Sequence, residues 1–181
     1  MAFWSNANIE PKRSHRFLFE FQLPDGTSSQ VYARNVSKPS FDIGQSEHKF
    51  LGQSYYYPSA ISWSDVSAVL VNSMSPDFDD LMHVLLAAAG YVSPDNVASA
   101  NSVIDGGTIS KGASSAALGA VLIKELDSEG ATIGEYKLNN AWVKSVSFGD
   151  LDYGSEELQT LNITFRYDWA SYTTRPGVAV G

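Results

Sequence analysis

A chain of 181 residues with a 44% hydrophobic share is long enough for one domain with a sizeable core, and no stretch approaches the ~18 unbroken apolar residues of a membrane span. The absence of cysteine excludes disulfides, thiolate nucleophiles and thiolate metal sites. The formal charge of -8 is uneven: residues 1–60 carry six Lys or Arg against five Asp or Glu, and residues 61–181 carry six against fifteen. An acidic surface excludes nucleic-acid binding through phosphates, although it would repel a polyanion moving past it.

Residues 1–16 do not have the order of a secretion signal, because the basic residues follow the apolar ones. The first predicted strand is Arg16 to Leu23, with Phe17, Phe19, Phe21 and Leu23 on one face. Pro24-Asp25-Gly26 is a turn signal, and Ser29 to Asn35 reads as the returning strand of a hairpin. From residue 37 to 59 the pattern weakens into a long loop, interrupted by Pro39, Gly44, Gly52 and Pro58. Ile61 to Asn72 resumes as a strand.

Residues 77–89 form the predicted helix. Phe78, Leu81, Met82, Leu85, Leu86 and Ala89 make one stripe, Ser75 reads as the N-cap, Pro76 as the first helical residue and Gly90 as the stop. The span 92–115 is rich in Ser, Ala, Asn and Gly and reads as a second long loop. Strands follow at 117–126, 132–139 and 141–148, and residues 149–157 form an acidic connection. The last strand, Thr160 to Trp169, sets Leu161, Ile163, Phe165, Tyr167 and Trp169 on one face. The sum is about seven strands and one flanking helix: a mostly β (α+β) domain, either two packed antiparallel sheets or a flattened barrel. The expected boundaries are an N-terminal arm over 1–15, one β domain over 16–172 and a tail over 173–181.

No catalytic pattern stands out. His15, His48 and His83 are isolated from metal-ligand spacing. Asp77, Asp79 and Asp80 are explained by the helix dipole, and Asp150, Asp152, Glu156 and Glu157 by a solvated turn. Neither a nucleophile elbow nor a phosphate-cradling glycine pattern is present. The sequence therefore predicts no enzyme and no cofactor. Tyr55-Tyr56-Tyr57 carries rings on both sides of its segment. A strand buried on both faces would explain that, as would a loop tip pressed into another subunit, and the flanking Pro and Gly favour the second.

Arg16-Phe17-Leu18-Phe19-Glu20-Phe21, the run Tyr32 to Pro39, Ile61-Ser62-Trp63 with the helix 77–89, Ala141 to Val146 and Glu157 to Trp169 together carry a resemblance. In order, spacing and size this pattern, over most of 16–172, resembles the tail tube proteins of contractile-tailed bacteriophages. The 92–115 segment looks longer than a minimal tube subunit needs. The resemblance implies a virion protein assembled in the host cytoplasm as hexameric rings, with sheets joined into one barrel and rings stacked into a tube for DNA ejection. It implies as partners further copies of the chain, a sheath, baseplate and tube-terminator proteins, and a tape-measure protein and DNA in the lumen without specific binding, with no membrane anchor. On this reading Phe41, Phe50, Tyr55, Tyr56 and Tyr57 are candidate contacts between subunits or rings, while the lumen-facing carboxylates stay unassigned. Two alternatives remain: the tube of a phage-derived or type VI injection system, and a monomeric carbohydrate-binding β-sandwich using Trp63, Trp142 and the tyrosines.

Overall fold

Period-two alternation builds two sheets whose apolar faces meet. A computed structural model describes residues 11–22, 28–75, 77–92, 108–154 and 156–174. Strands β1 (Phe17–Gln22), β2 (Ser28–Val31), β7 (Ala120–Leu126), β8 (Thr132–Asn139) and β11 (Trp169–Thr174) form a five-stranded antiparallel sheet in the order β11-β8-β7-β1-β2. Strands β3 (Ala33–Val36), β6 (Val66–Val71), β9 (Trp142–Ser147) and β10 (Thr160–Arg166) form a four-stranded sheet in the order β3-β6-β10-β9. Neither sheet closes into a barrel, so the packed-sheet form of the expectation is the one observed.

The core lies between the sheets. Phe19, Phe21, Val121, Ile123 and Leu138 from one meet Val66, Ala68, Leu70, Leu161, Ile163 and Phe165 from the other. Phe165 reaches across to the rings of Phe19 and Phe21, at centroid distances of 6.0 and 5.7 Å. Each buried large side chain contributes about 1.5–3 kcal/mol before ordering entropy is subtracted.

Three sequence expectations are corrected here. The predicted last strand is two strands: after Tyr167 the chain turns at Asp168 and crosses from the four-stranded sheet to the five-stranded one as β11. Trp169 is consequently 48% exposed, off the core face. A period-two pattern runs through such a corner without a break, so alternation cannot reveal it. The same happens at Ser64-Asp65, where the expected strand 61–72 divides between two sheets.

The second correction concerns residues 37–59, which are not a loop. Most of them belong to β4 (Phe41–Phe50) and β5 (Gln53–Trp63), a long antiparallel hairpin that is a sheet of its own. Leu51 and Gly52 close it with φ of 49° and 83°, the two-residue turn whose positive φ values match the twist of the strands. A leucine at such a position gives no sequence warning.

The third correction concerns the helices. α1 (Phe78–Ala88) is capped by Asp77, whose carboxylate accepts from the Asp79 N–H at 3.0 Å, and not by Ser75. Pro76 lies outside the described residues. Phe78, Met82, Leu85 and Ala89 are buried as the stripe requires, and Gly90 ends the helix at φ 105°. Inside the expected loop 92–115 begins a second helix, α2 (Lys111–Leu118), capped by Ser110 accepting from Ala113 N–H at 3.1 Å. It buries only Leu118, so its Ala/Ser composition shows no stripe. The Ser110 cap and Gly119 stop were the available signal. The expected tail lies almost wholly outside the described residues, as do Leu23 and the Pro24-Asp25-Gly26 turn.

Candidate functional site: an unpartnered hairpin

The β4–β5 hairpin has no core behind it. Ten residues of β4 span about 33 Å at strand rise, and every residue from 40 to 62 is exposed. The register pairs Ser46 with Tyr57, Glu47 with Tyr56, His48 with Tyr55 and Phe50 with Gln53. Alternation then puts Tyr55, Tyr57 and Phe50 on one face and Tyr56 on the other. A bulge between Ile43 and Gln45 shifts the register below them.

All five candidate contact residues thus sit on one element. Phe41 is 52% exposed, Phe50 59%, and Tyr55, Tyr56 and Tyr57 are 45%, 60% and 56% exposed. Ile43, Leu51 and Ile61 add to the same surface. A two-stranded ribbon is marginal in water by itself. This one shows apolar groups on both faces, uncovered by any of the described residues.

The root of the hairpin is firmly held. On the entering side Ser37 accepts from the Ser67 N–H at 2.8 Å, and the Ser64 N–H donates to the Ser40 carbonyl at 2.9 Å. On the leaving side Arg166 donates to the Trp63 carbonyl and to Asp65, both at 2.9 Å, while Lys144 reaches Asp65 at 2.6 Å. The hydrogen bonds from Lys144 and then Arg166 hold the Asp65 carboxyl below its ordinary range. The Trp63 ring packs between Phe41 and Tyr167, at 5.2 and 5.9 Å, so it is not an open stacking platform.

The other candidates disperse. His83 stacks on Phe148, with rings 5.5 Å apart and nearly parallel; His15 and His48 are exposed. Among the described residues no group of three or more His, Asp or Glu is placed to hold a metal, and no helix is long and apolar enough to cross a membrane. Asp150, Asp152, Glu156 and Glu157 are exposed on the β9–β10 connection, where Asp152 accepts from the Gly154 N–H at 2.9 Å. The outward positions of the four-stranded sheet, by contrast, include Ser67, Ser145, Ser147, Asn162 and Thr164 and no carboxylate.

No protein-family model matches the sequence, and no curated protein matches it by sequence. The fold does have solved counterparts. A chain of the anti-feeding prophage cap, a tube-terminating cap, matches at a TM-score of 0.65 and 16% identity, covering 96% of this chain and 99% of that one. A chain in the extended sheath-tube complex of an extracellular contractile injection system, PVC, matches at 0.61 and 13% identity, over 96% and 99%. Hcp1 from E. coli EAEC 042 matches at 0.53 and 10% identity, over 90% and 93%. The chain shares the fold of these contractile-injection-system and Hcp1 chains.

Proposed function

We propose that this fold is put to its tube-building use: the chain is a structural subunit of a hollow tube, forming hexameric rings that stack inside a contractile sheath. The observation that carries this is the exposed hairpin, with apolar side chains on both faces and a rigid root. Edges left open among the described residues support it: β3 and β9 bound the four-stranded sheet, and β2 and β11 the five-stranded one. An unpaired edge is a hazard in a monomer and an interface in a closed ring. Edge-to-edge joining of sheets would close the ring, and the hairpin would reach the ring above or below. The tube would then meet a sheath along its length and baseplate and terminator proteins at its ends.

The channel would carry DNA in a phage tail, assembled in the host cytoplasm and retained in the virion. The likeness to cap and sheath-tube chains of phage-like injection systems favours a second form with the same architecture and a different cargo. The net charge of -8 suits a conduit that must not grip a polyanion. The test is sedimentation and negative-stain imaging of the purified protein across concentration. Rings or tubes with a central hole are expected, and deleting Phe50 to Tyr57 should abolish stacking while leaving a folded core. A persistent monomer that binds glycans saturably would replace this reading with the carbohydrate-binding one.

A further inference from the structure

One buried carboxylate lies where a core strand should be apolar. Glu125 shares its face of β7 with Val121 and Ile123, and its side chain is only 9% exposed. A carboxylate there is tolerated only with close cationic partners, and Glu125 has two. Lys12, from the segment before β1, donates to Oε2 at 2.6 Å, and Lys38, from the connection leading into the hairpin, donates to Oε1. The Tyr172 hydroxyl on β11 lies 3.5 Å from Oε2 and 3.2 Å from Lys12 Nζ.

The surroundings are shaped for this arrangement. Lys12 Nζ lies 5.8 Å from the centre of the Tyr172 ring and Lys38 Nζ 5.9 Å from that of Tyr136, while the two rings lie 4.5 Å apart. Each ammonium therefore has an aromatic face and a share of one carboxylate. The hairpin root is thus fastened to both sheets: through Arg166 and Asp65 to the four-stranded one, and through Lys38 and Glu125 to the five-stranded one. The second fastening is shared with the segment before β1, through Lys12.

We propose that Glu125 is a positioning residue that couples the orientation of the β4–β5 hairpin to the segment carrying Lys12, so that displacing Lys12 changes the hold on Lys38. Two cations compete for one anion and repel each other across it. Withdrawing Lys12, as a docked neighbour touching residues 11–16 would do, gives Lys38 the whole carboxylate and stiffens the hairpin root. Removing the carboxylate releases both segments. The significance for assembly rests on the hairpin being the stacking element; the coupling itself is a property of the single chain.

The chain lacks cysteine, so Gln53→Cys at the hairpin tip and Glu129→Cys on the β7–β8 turn give a unique spin-label pair. Pulsed dipolar spectroscopy on the full chain, at a concentration where it is monomeric, reads the spread of tip-to-body distances. Lys38→Met and Glu125→Gln should each broaden that spread about twofold, ring and rotamer motion being far smaller than hinge motion. Lys38→Arg should keep it narrow, and Lys12→Met should leave it no broader than the parent. Near-UV circular dichroism checks the fold; if Glu125→Gln fails to fold, Lys38→Met decides, since the Lys38 side chain is 60% exposed. An unchanged spread in folded Lys38→Met overturns the proposal, as does equal broadening by Lys12→Met. Because the readout is taken before assembly, absence of rings would count against the proposed function and leave this result standing.

Discussion

Strands β5 and β10 carry the same kind of residues and meet opposite fates. In β10, Leu161, Ile163 and Phe165 are buried to within 1% of complete. In β5, Tyr55, Tyr56, Tyr57 and Ile61 are roughly half exposed, although their β propensity is as high. β10 has its counterpart, the face bearing Phe19 and Phe21, within the same chain, and β5 has none among the described residues. Apolar content thus says that a surface favours being covered but not by what, and on the proposed function the hairpin's cover is a neighbouring copy.

The contrast can be broken most forcefully by truncation on each side. Phe165→Ala should cost about 3–5 kcal/mol, because it empties a site between two sheets, and chemical denaturation would read it. Replacing Tyr55, Tyr56 and Tyr57 together with serine should change stability by no more than about 0.5 kcal/mol per site yet abolish polymerisation by sedimentation. A large stability loss from the tyrosine variant would mean the hairpin is already part of the fold.

Gly134 sharpens the comparison at the hairpin's anchor. The Tyr172 ring lies so close over it that an added Cβ would overlap the tyrosine hydroxyl. Gly134→Ala should cost about 1–3 kcal/mol through this overlap. The double variant with Tyr172→Ser should recover most of the loss in thermal melts; no recovery would place the strain elsewhere.

Acid should act through the same cluster. Burial pushes the Glu125 carboxyl up, but the hydrogen bonds from Lys12 and Lys38 outweigh it and leave it below its ordinary value. A lowered folded value means the stabilisation is fully present above the unfolded pKa and lost as pH falls through the folded one. Asp65 follows the same sign. Melting temperature should therefore be insensitive to this carboxylate near neutrality and fall below about pH 4.3, with a shallower fall in Glu125→Gln; parallel curves would contradict the assignment.

The smallest effect belongs to Tyr167. Its hydroxyl is buried without a hydrogen-bond partner among the described residues, and burial raises its pKa. Tyr167→Phe should leave stability unchanged or raise it by up to about 1 kcal/mol, since no bond is lost. A clear loss in denaturant titration would reveal a partner for that hydroxyl.

The core was largely legible because period-two alternation is a direct record of burial: Phe19, Phe21, Leu161, Ile163 and Phe165 all read correctly, as did the α1 stripe except for Leu86, which is exposed. Corners at Asp168 and Ser64-Asp65 were not legible, since alternation survives a change of sheet. The hairpin was hidden for a related reason. With both faces exposed it has no polar–apolar contrast along its length, and its turn uses Leu51 where Gly or Asn would have announced it. Phe41, Phe50, Tyr55, Tyr56 and Tyr57 could still be singled out, because large apolar residues among Pro and Gly are poor monomer surface in any local conformation. Glu125 left no trace at all: a charged residue in a predicted strand gives no hint that two lysines, at positions 12 and 38, converge on it.

A cryo-EM reconstruction of the assembled protein tests the central claim most directly. The account predicts closed rings in which Tyr55, Tyr56 and Tyr57 are buried against a neighbouring copy. A particle whose hairpin projects into solvent on every copy, or a chain that stays monomeric with the hairpin folded back on its own body, would contradict it.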